Sequence, residues 1–442
     1  MIFSIASSSG LWALVVVYSL LSFKTALSLP ITDLNLEDPI DEITMLDMMK
    51  SSSLFRNLPP LVSLPAASER TLVAGEVPDY VLDFAPVVHL YSEERYLPYN
   101  VEKFVSNFHA CFRNGSLVPG GESPLKLQQL EELDKHIVDY DTAIFMTADS
   151  DFDKDPEWIT GKHNIPNVYD GAIEDAPATL IVVDKGNGWV DAYWFFFYSF
   201  NLGPFVMGCG PYGNHVGDWE HTLVRFYNGE PKIVWMSAHG GGGTYFYDNL
   251  EKLETAPKRP VIFSARGTHA NYAAVGQHSH DLPYSMLSDF ADRGPLWDPS
   301  RNYLAYTWDG TNLSYGNGSE YGREERLGKW LSFTGHWGDN DMDPKDPRQH
   351  WSPWQWKYIE GPTGPITKNL LRVAPCQSLK HWKTWGGCQA RRYPKMGEGI
   401  ESEGSHSCGN IFRNVRPVWL KTLLHYLTLN GIGCYLADLF LG

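Results

Sequence analysis

From Ala178 onward the apolar residues come in short runs cut by glycine, proline and asparagine, the pattern of strands joined by turns. "ATLIVVD" is one such run. "GWVDAYWFFFYSF" is another, apolar at successive positions and so suited to a strand covered on both faces. "WEHTLVRFY", "KIVWMSA", "RPVIFSAR" and "YLAYTW" continue the series, with hairpin-type breaks such as "KGNG" and "YNGE" between some of them. No helical crossover separates these runs, which implies antiparallel pairing, most simply a β-sandwich. Upstream, "FAPVVHLY" predicts a strand and "VEKFVSNF" after Asn100 a short helix with an apolar stripe. "SPLKLQQLEELDKHI" predicts a surface helix capped by Ser123. The chain is expected to be mainly β, an antiparallel β-sandwich core with short peripheral helices and a disulfide-stapled C-terminal segment.

The two ends follow other patterns. Leu11 to Phe23 is apolar, too short for a comfortable span and the right size for a signal-peptide core. Ala26 and Ser28 supply small residues before "LP", which places cleavage after Ser28. The preceding residues lack Lys and Arg, so an uncleaved anchor is the alternative. Residues 1–28 are thus a signal peptide, 29–75 a propeptide-like or mobile arm, and 76–375 the β domain. Residues 376–442 form a cysteine-containing segment whose final apolar stretch is a docked amphipathic helix; a transmembrane or lipid-anchor signal is the competing possibility.

Composition narrows the class. The 442 residues are 43% hydrophobic and 14% aromatic, ample for a large core. The net charge of −16 excludes nucleic acid and anionic membrane as electrostatic partners. Sequons at Asn114, Asn312 and Asn317 and an even count of six cysteines fit a secretory route, ending in the vacuole lumen or outside the cell. That route predicts all six cysteines oxidised, with four of them, from Cys376 on, stapling the C-terminal segment.

Candidate chemistry concentrates in "GNHVGDWEHTLVRF". In a strand beginning near Asp218, Asp218 and Glu220 share one face while Trp219 and His221 take the other. His215, in the turn before, can fold back over the carboxylates. Two carboxylates at one spot repel, and a shared proton or a cation relieves them. "IVWMSAHGGGG" and "VIFSARGTHANY" deliver His239 and His269 to strand exits rich in glycine. If these ends meet at one rim, a single site results. The alternatives are a divalent cation within it or a buried polar network that fixes the strand ends. "DSDFDKDPEWIT" and "DNDMDPKDPRQH" lack the glycine and final glutamate of calcium loops and are solvated acidic loops. "HWSPWQWKY" offers rings that could stack on sugars or simply pack.

"GNHVGDWEHTLVRF", "SAHGGGG", "RPVIFSARGTHANYAAVG", "DRGPLWDP", "VDAYWFFFYSFNLG" and "FTGHWGDND" together resemble the fungal vacuolar protein sorting-associated protein sixty-two family, from about Val77 to the C-terminal cysteines. That resemblance implies a role in delivering proteins to the vacuole. A narrower one joins "HVGDWE", "SAHGG" and "THA" to the necrosis- and ethylene-inducing peptide-like toxins, β-sandwiches whose rim holds a divalent metal that contacts the sugar head group of a sphingolipid. It implies His215, Asp218 and Glu220 as metal ligands and His239 and His269 as residues lining the site. The toxins' aspartate after their "WY" strand corresponds here to Asn201, and the second histidine of their heptapeptide to Gly217.

Two carboxylates, an amide oxygen and imidazoles suit Mg²⁺ or Ca²⁺, with Mn²⁺ or Zn²⁺ if histidines bind directly. The expected partner is a glycan or sphingolipid head group, with no nucleic acid. The alternative is a metal-dependent hydrolase with Glu220 or His269 as general base. There is no G-x-S-x-G elbow, P-loop or dinucleotide fingerprint.

Overall fold

In a computed structural model of the protein, the described residues are 58–377 except 60, 206–209, 240, 280–286, 318–322 and 352–354, with 390, 391, 419 and 423 in addition. The signal peptide, most of the expected arm and nearly all of the C-terminal segment lie outside them, as do Cys209, Cys388, Cys408 and Cys434. Among the described residues no helix is long and apolar enough to cross a membrane.

The fold is mainly β. In chain order the strands are β1 Val87–His89, β2 Phe108–Phe112, β3 Ile144–Ala148, β4 Ala178–Gly186, β5 Trp189–Asn201 and β6 His215–Tyr227. β7 Glu230–Ala238, β8 Gly241–Phe246, β9 Lys252–Leu253, β10 Ala256–Ser264 and β11 Asn271–Tyr272 follow. The last are β12 Gly276–Ser279, β13 Ser288–Ala291, β14 Leu296–Trp297, β15 Tyr303–Trp308 and β16 Leu313–Tyr315. A seven-stranded sheet runs β16-β15-β4-β5-β6-β7-β8, and a five-stranded sheet runs β11-β10-β1-β14 with β9 on β10.

Two pairings correct the purely antiparallel expectation: β15 runs parallel to β4, and β1 runs parallel to β10. Both join strands far apart in sequence, whose pairing no hairpin signal can reveal. The hairpins themselves appear where the turn residues place them, β4–β5 at Asn187–Gly188 and β6–β7 at Asn228–Gly229. All four residues have positive φ, the backbone such two-residue turns require.

All thirteen residues of β5 are buried. One face sends Trp194, Phe196 and Tyr198 into a cluster with Val88, Ile262 and Trp297 of the five-stranded sheet. The opposite face sends Tyr193, Phe195 and Phe197 into a second cluster with Phe104, Phe108, Leu130 and Trp330 from short helices and the β2–β3 pair. Burying each large side chain contributes roughly 1.5–3 kcal/mol, so this doubly covered strand is the energetic centre of the fold.

The helix Val101–Val105 has Asn100 as its cap, accepting from Glu102 N and Lys103 N at 2.9 and 3.2 Å. The second expected helix is shorter, Leu130–Asp134 after a 3₁₀ turn. Ser123 does not cap it, because its hydroxyl donates to Asp149. The last part of the expected arm is packed down. Pro59 O accepts from Trp189 Nε1 at 3.0 Å, Ser63 O from Lys185 Nζ at 2.7 Å, and Asp184 takes the amides of Thr71 and Leu72 at 2.7 and 2.8 Å.

Full oxidation of the cysteines is corrected at Cys111, a free buried thiol on β2 opposite Phe145. Cys376 is disulfide-bonded.

Candidate functional site

The end of the β5–β6 pair builds the site. Asn201 closes β5 directly across from His215, which opens β6 earlier than the sequence pattern suggested. Asp218 is paired with Tyr198 and Glu220 with Phe196, so both carboxylates project from one face, as their spacing requires. Trp219 enters the opposite cluster, and His221 stacks there on Phe195 with ring centroids 4.6 Å apart.

Between His215 and Asp218 the strand changes face. Tyr198 packs in one cluster and Phe200, two residues on, in the other. Gly217, opposite this point, has φ +67°, and a Cβ there would meet the carbonyl oxygen of Trp337 at 1.7 Å. No side chain fits. The glycine in place of the toxins' second histidine is therefore dictated by this chain's own packing.

His269 sits at φ +54° after the β10 exit and is completely buried. Its ring stacks on Tyr198 with centroids 3.7 Å apart and an interplanar angle of 4°. Nδ1 donates to Asp218 Oδ2 at 2.9 Å and Nε2 to the carbonyl of Tyr96 at 3.0 Å, with Glu94 Oε1 at 3.7 Å. Burial alone would lower its pKa. The carboxylates of Asp218 and Glu94 outweigh that and push it up to about 9. With both nitrogens donating, His269 is an imidazolium at neutral pH. It has no lone pair for a metal or for general-base catalysis, and it serves to position Asp218.

His239, also at positive φ, is committed elsewhere. Its Nε2 lies 2.7 Å from Asp289 Oδ2, and the same carboxylate accepts from Thr268 and Tyr272 hydroxyls at 2.9 and 2.6 Å. Glu220 accepts a short hydrogen bond from Ser237, whose oxygen in turn accepts from His221 N at 2.7 Å. Burial, and then the charge of Asp218, hold the Glu220 carboxyl well above the usual range, against the opposing pull of Ser237.

His215 donates through Nδ1 to Gly217 O at 2.6 Å, and burial lowers its pKa despite Asp218. The neutral ring therefore keeps its lone pair on Nε2. The amide nitrogen of Asn201 donates to Gly213 O at 2.9 Å, leaving its oxygen as an acceptor. Lys368, at the end of a 3₁₀ turn, lies within electrostatic reach of Glu220 and Asp218, and burial depresses its pKa against their attraction.

Of the six predicted residues, the structure gathers His215, Asp218, Glu220, Asn201 and His269. His239 belongs to a neighbouring cluster centred on Asp289. Sequence reasoning missed Glu94, Ser237, Asp289 and Lys368. Only Ser237 left a legible signal: it lies one position beyond Met236, the partner of Thr222, and so falls opposite His221.

The donor set fits a cation in part. Asp218 Oδ1 and Glu220 Oε1 make no hydrogen bond among the described residues, and neither is sealed from solvent. With His215 Nε2 they offer two oxygens and one nitrogen. Among the described residues no group of three or more His, Cys, Asp or Glu side chains is placed to hold a metal ion, so these three do not converge on one point as they stand. An ion here would complete its shell with water or ligand hydroxyls, the habit of Mg²⁺ and Ca²⁺ more than of structural Zn²⁺.

Aromatic rings border this rim. Gly213 N donates to Trp356 O at 2.9 Å, and Trp356 packs edge-on against Trp351 with centroids 5.0 Å apart. Trp351 and Phe205 are 56% and 57% exposed, unusual for rings of this size.

Residues 73–339 match the family described as vacuolar protein sorting-associated protein 62. The Saccharomyces cerevisiae protein of that name is 46% identical over 97% of this chain and 96% of its own length. The putative vacuolar protein sorting-associated protein TDA6 of the same yeast is 46% identical over 97% of this chain and 98% of its own length. Among solved structures, NLPPya in complex with mannosamine is 12% identical, covering 63% of this chain and 95% of its own, with a TM-score of 0.24. A toxin fold for microbial attack and plant defence is 12% identical, covering 60% and 98%, with a TM-score of 0.25. Those scores are too low to carry a functional comparison. The extent and identity of the sequence matches are not: the chain belongs to the vacuolar protein sorting-associated protein 62 family.

Proposed function

We propose that this protein acts in vacuolar protein sorting by recognising a glycan or lipid head group at the β5–β6 rim, with a divalent cation bridging ligand and protein. The observation that carries this is the unspent capacity of the rim. Two carboxylate oxygens and a neutral imidazole nitrogen make no hydrogen bond among the described residues, while the other atoms of the same side chains are held by His269, Ser237 and Gly217. Asp218 and Glu220 would hold the cation with His215, and Asn201 would add an amide oxygen. The cation would supply a Lewis-acidic anchor for vicinal hydroxyls. Trp351 and Trp356 would cover the apolar face of a sugar ring.

The names of the yeast relatives support the sorting role. The lumen of the secretory–vacuolar route is the compartment proposed, and the exposure of Asn114 and Asn312 at two sequons favours it. Calorimetric titration with Mg²⁺, Ca²⁺ and Mn²⁺, followed by glycan-array and glycosphingolipid-vesicle binding, tests the reading. Cation-dependent binding abolished by Glu220→Gln is the expected result. A wild-type protein whose heats and melting point ignore all three ions, and which retains no head group, would overturn it.

A further inference from the structure

A cleft of about 520 Å³ opens between the N-terminal end of the helix Val101–Val105, the segment before β15 and the helix Arg323–Leu327. None of the rim residues lines it. Val101, Leu304 and Leu327 reach its base from the core cluster beneath but are almost fully buried, so the surface open to a ligand is mostly polar. Three arginines, Arg301, Arg323 and Arg326, stand around it in a chain whose net charge is −16. Two glutamates, Glu102 and Glu174, share the lining, so the arginines outnumber the carboxylates by one.

The arginines differ in how much charge they have left to give. Arg301 reaches Asp298 through Nε at 3.2 Å, but that carboxylate already serves Arg259 with two bonds of 2.5 and 2.6 Å. One carboxylate between two guanidiniums leaves a net positive charge, and the Arg301 side chain is 57% exposed. Arg326 is exposed, three residues from Arg323 on the same helix face. Arg323 is held by Asn302 Oδ1 at 2.7 Å and contributes field and orientation. Glu102 and Glu174 complete the walls as acceptors without donors of their own.

Anion-binding guanidiniums beside hydroxyl-accepting carboxylates describe one class of small molecule: one that carries both an anion and several hydroxyls. We infer that this cleft binds a sugar phosphate, its phosphate between Arg301 and Arg326 and its hydroxyls on Glu102 and Glu174. Arg suits this role because its planar fork meets two phosphate oxygens at once. The phosphate can reach the cleft on a free sugar or on a glycan, and the two share this chemistry.

The test is titration of the full chain with glucose 6-phosphate, its methyl glycoside, inorganic phosphate and glucose. Glucose 6-phosphate is expected to bind at least tenfold more tightly than inorganic phosphate and to weaken at least tenfold in Arg326→Gln. The Arg301→Gln/Arg326→Gln double variant should lose binding, and unchanged melting curves would show that both variants remain folded. Equal binding of the methyl glycoside would assign the site to glycan-borne phosphate; its exclusion would assign it to free sugar phosphate. Affinity no better than that of inorganic phosphate, or binding unchanged in a folded double variant, overturns the inference.

Discussion

The β5–β6 pair supplies the carboxylates of two buried carboxylate–cation pairs, and they are finished to different degrees. Asp191 on β5 meets Arg225 on β6 with two bonds of 2.7 Å, both side chains at 1% exposure or less. Two of the three remaining N–H groups go to the carbonyls of Val373 and Arg372. Every nitrogen and oxygen of the pair has a partner. Seven residues along β6, Asp218 is paired with His269, but one oxygen of Asp218 and one of the adjacent Glu220 remain unspent beside solvent. Burial of charge is common to both. What separates a structural pair from a binding site is leftover hydrogen-bonding capacity, and no count of ionisable residues reveals that.

The sealed pair should be the costlier one to break. Asp191→Ala leaves a guanidinium buried without its counter-ion and is expected to lower unfolding free energy by about 3–5 kcal/mol in urea titrations. A loss under about 1 kcal/mol would erase the distinction drawn above. Next comes Asp218→Asn, which keeps an acceptor for His269 but removes the negative charge that holds it protonated; about 1–3 kcal/mol should be lost together with any cation response in thermal melts. Glu220→Gln should abolish the cation response at little stability cost, since burial already favours the neutral form of this carboxyl. Equal destabilisation by both variants would argue for a purely structural network.

A pH series isolates the imidazolium. The folded pKa of His269 is raised to about 9, so its contribution is fully present below the ordinary histidine value near 6.5 and is lost as pH rises through about 9. The melting-point difference between wild type and His269→Asn should therefore be largest at pH 6 and shrink towards pH 9.5. A difference that grows with pH would mean the ring is neutral in the fold. The smallest effect belongs to Trp351→Ala, whose exposed ring should leave stability within about 0.5 kcal/mol while weakening glycan binding severalfold.

Much of this was legible from sequence because the physics involved is local. The two-residue period put Asp218 and Glu220 on one face, and the turn dipeptides set the hairpins. The parallel pairs were not legible, because β1 and β10 meet through a contact that no short-range pattern encodes. His239 and His269 look alike in sequence, each at a glycine-rich strand exit. Their fates diverge because Asp289 from β13 captures one and Asp218 captures the other. Partners contributed by distant strands decided both roles, and the same is true of Glu94 and Lys368.

The docking of residues 58–72 sets a boundary for proteolytic trimming. Lys185 is wholly buried, burial pulls its pKa down to about 7, and its ammonium rests on the carbonyls of Ser63 and Leu371. Trimming up to Leu58 leaves that ammonium, the Trp189 indole and the Asp184 carboxylate with their acceptors and donors in place. A protease that advanced to Gly75 would remove a partner from all three at once, leaving Lys185 only the Leu371 carbonyl and Asp184 only the Gly186 amide. Were the chain trimmed from its N-terminus, these contacts would set the stop, and a chain that keeps all of them begins no later than Leu58.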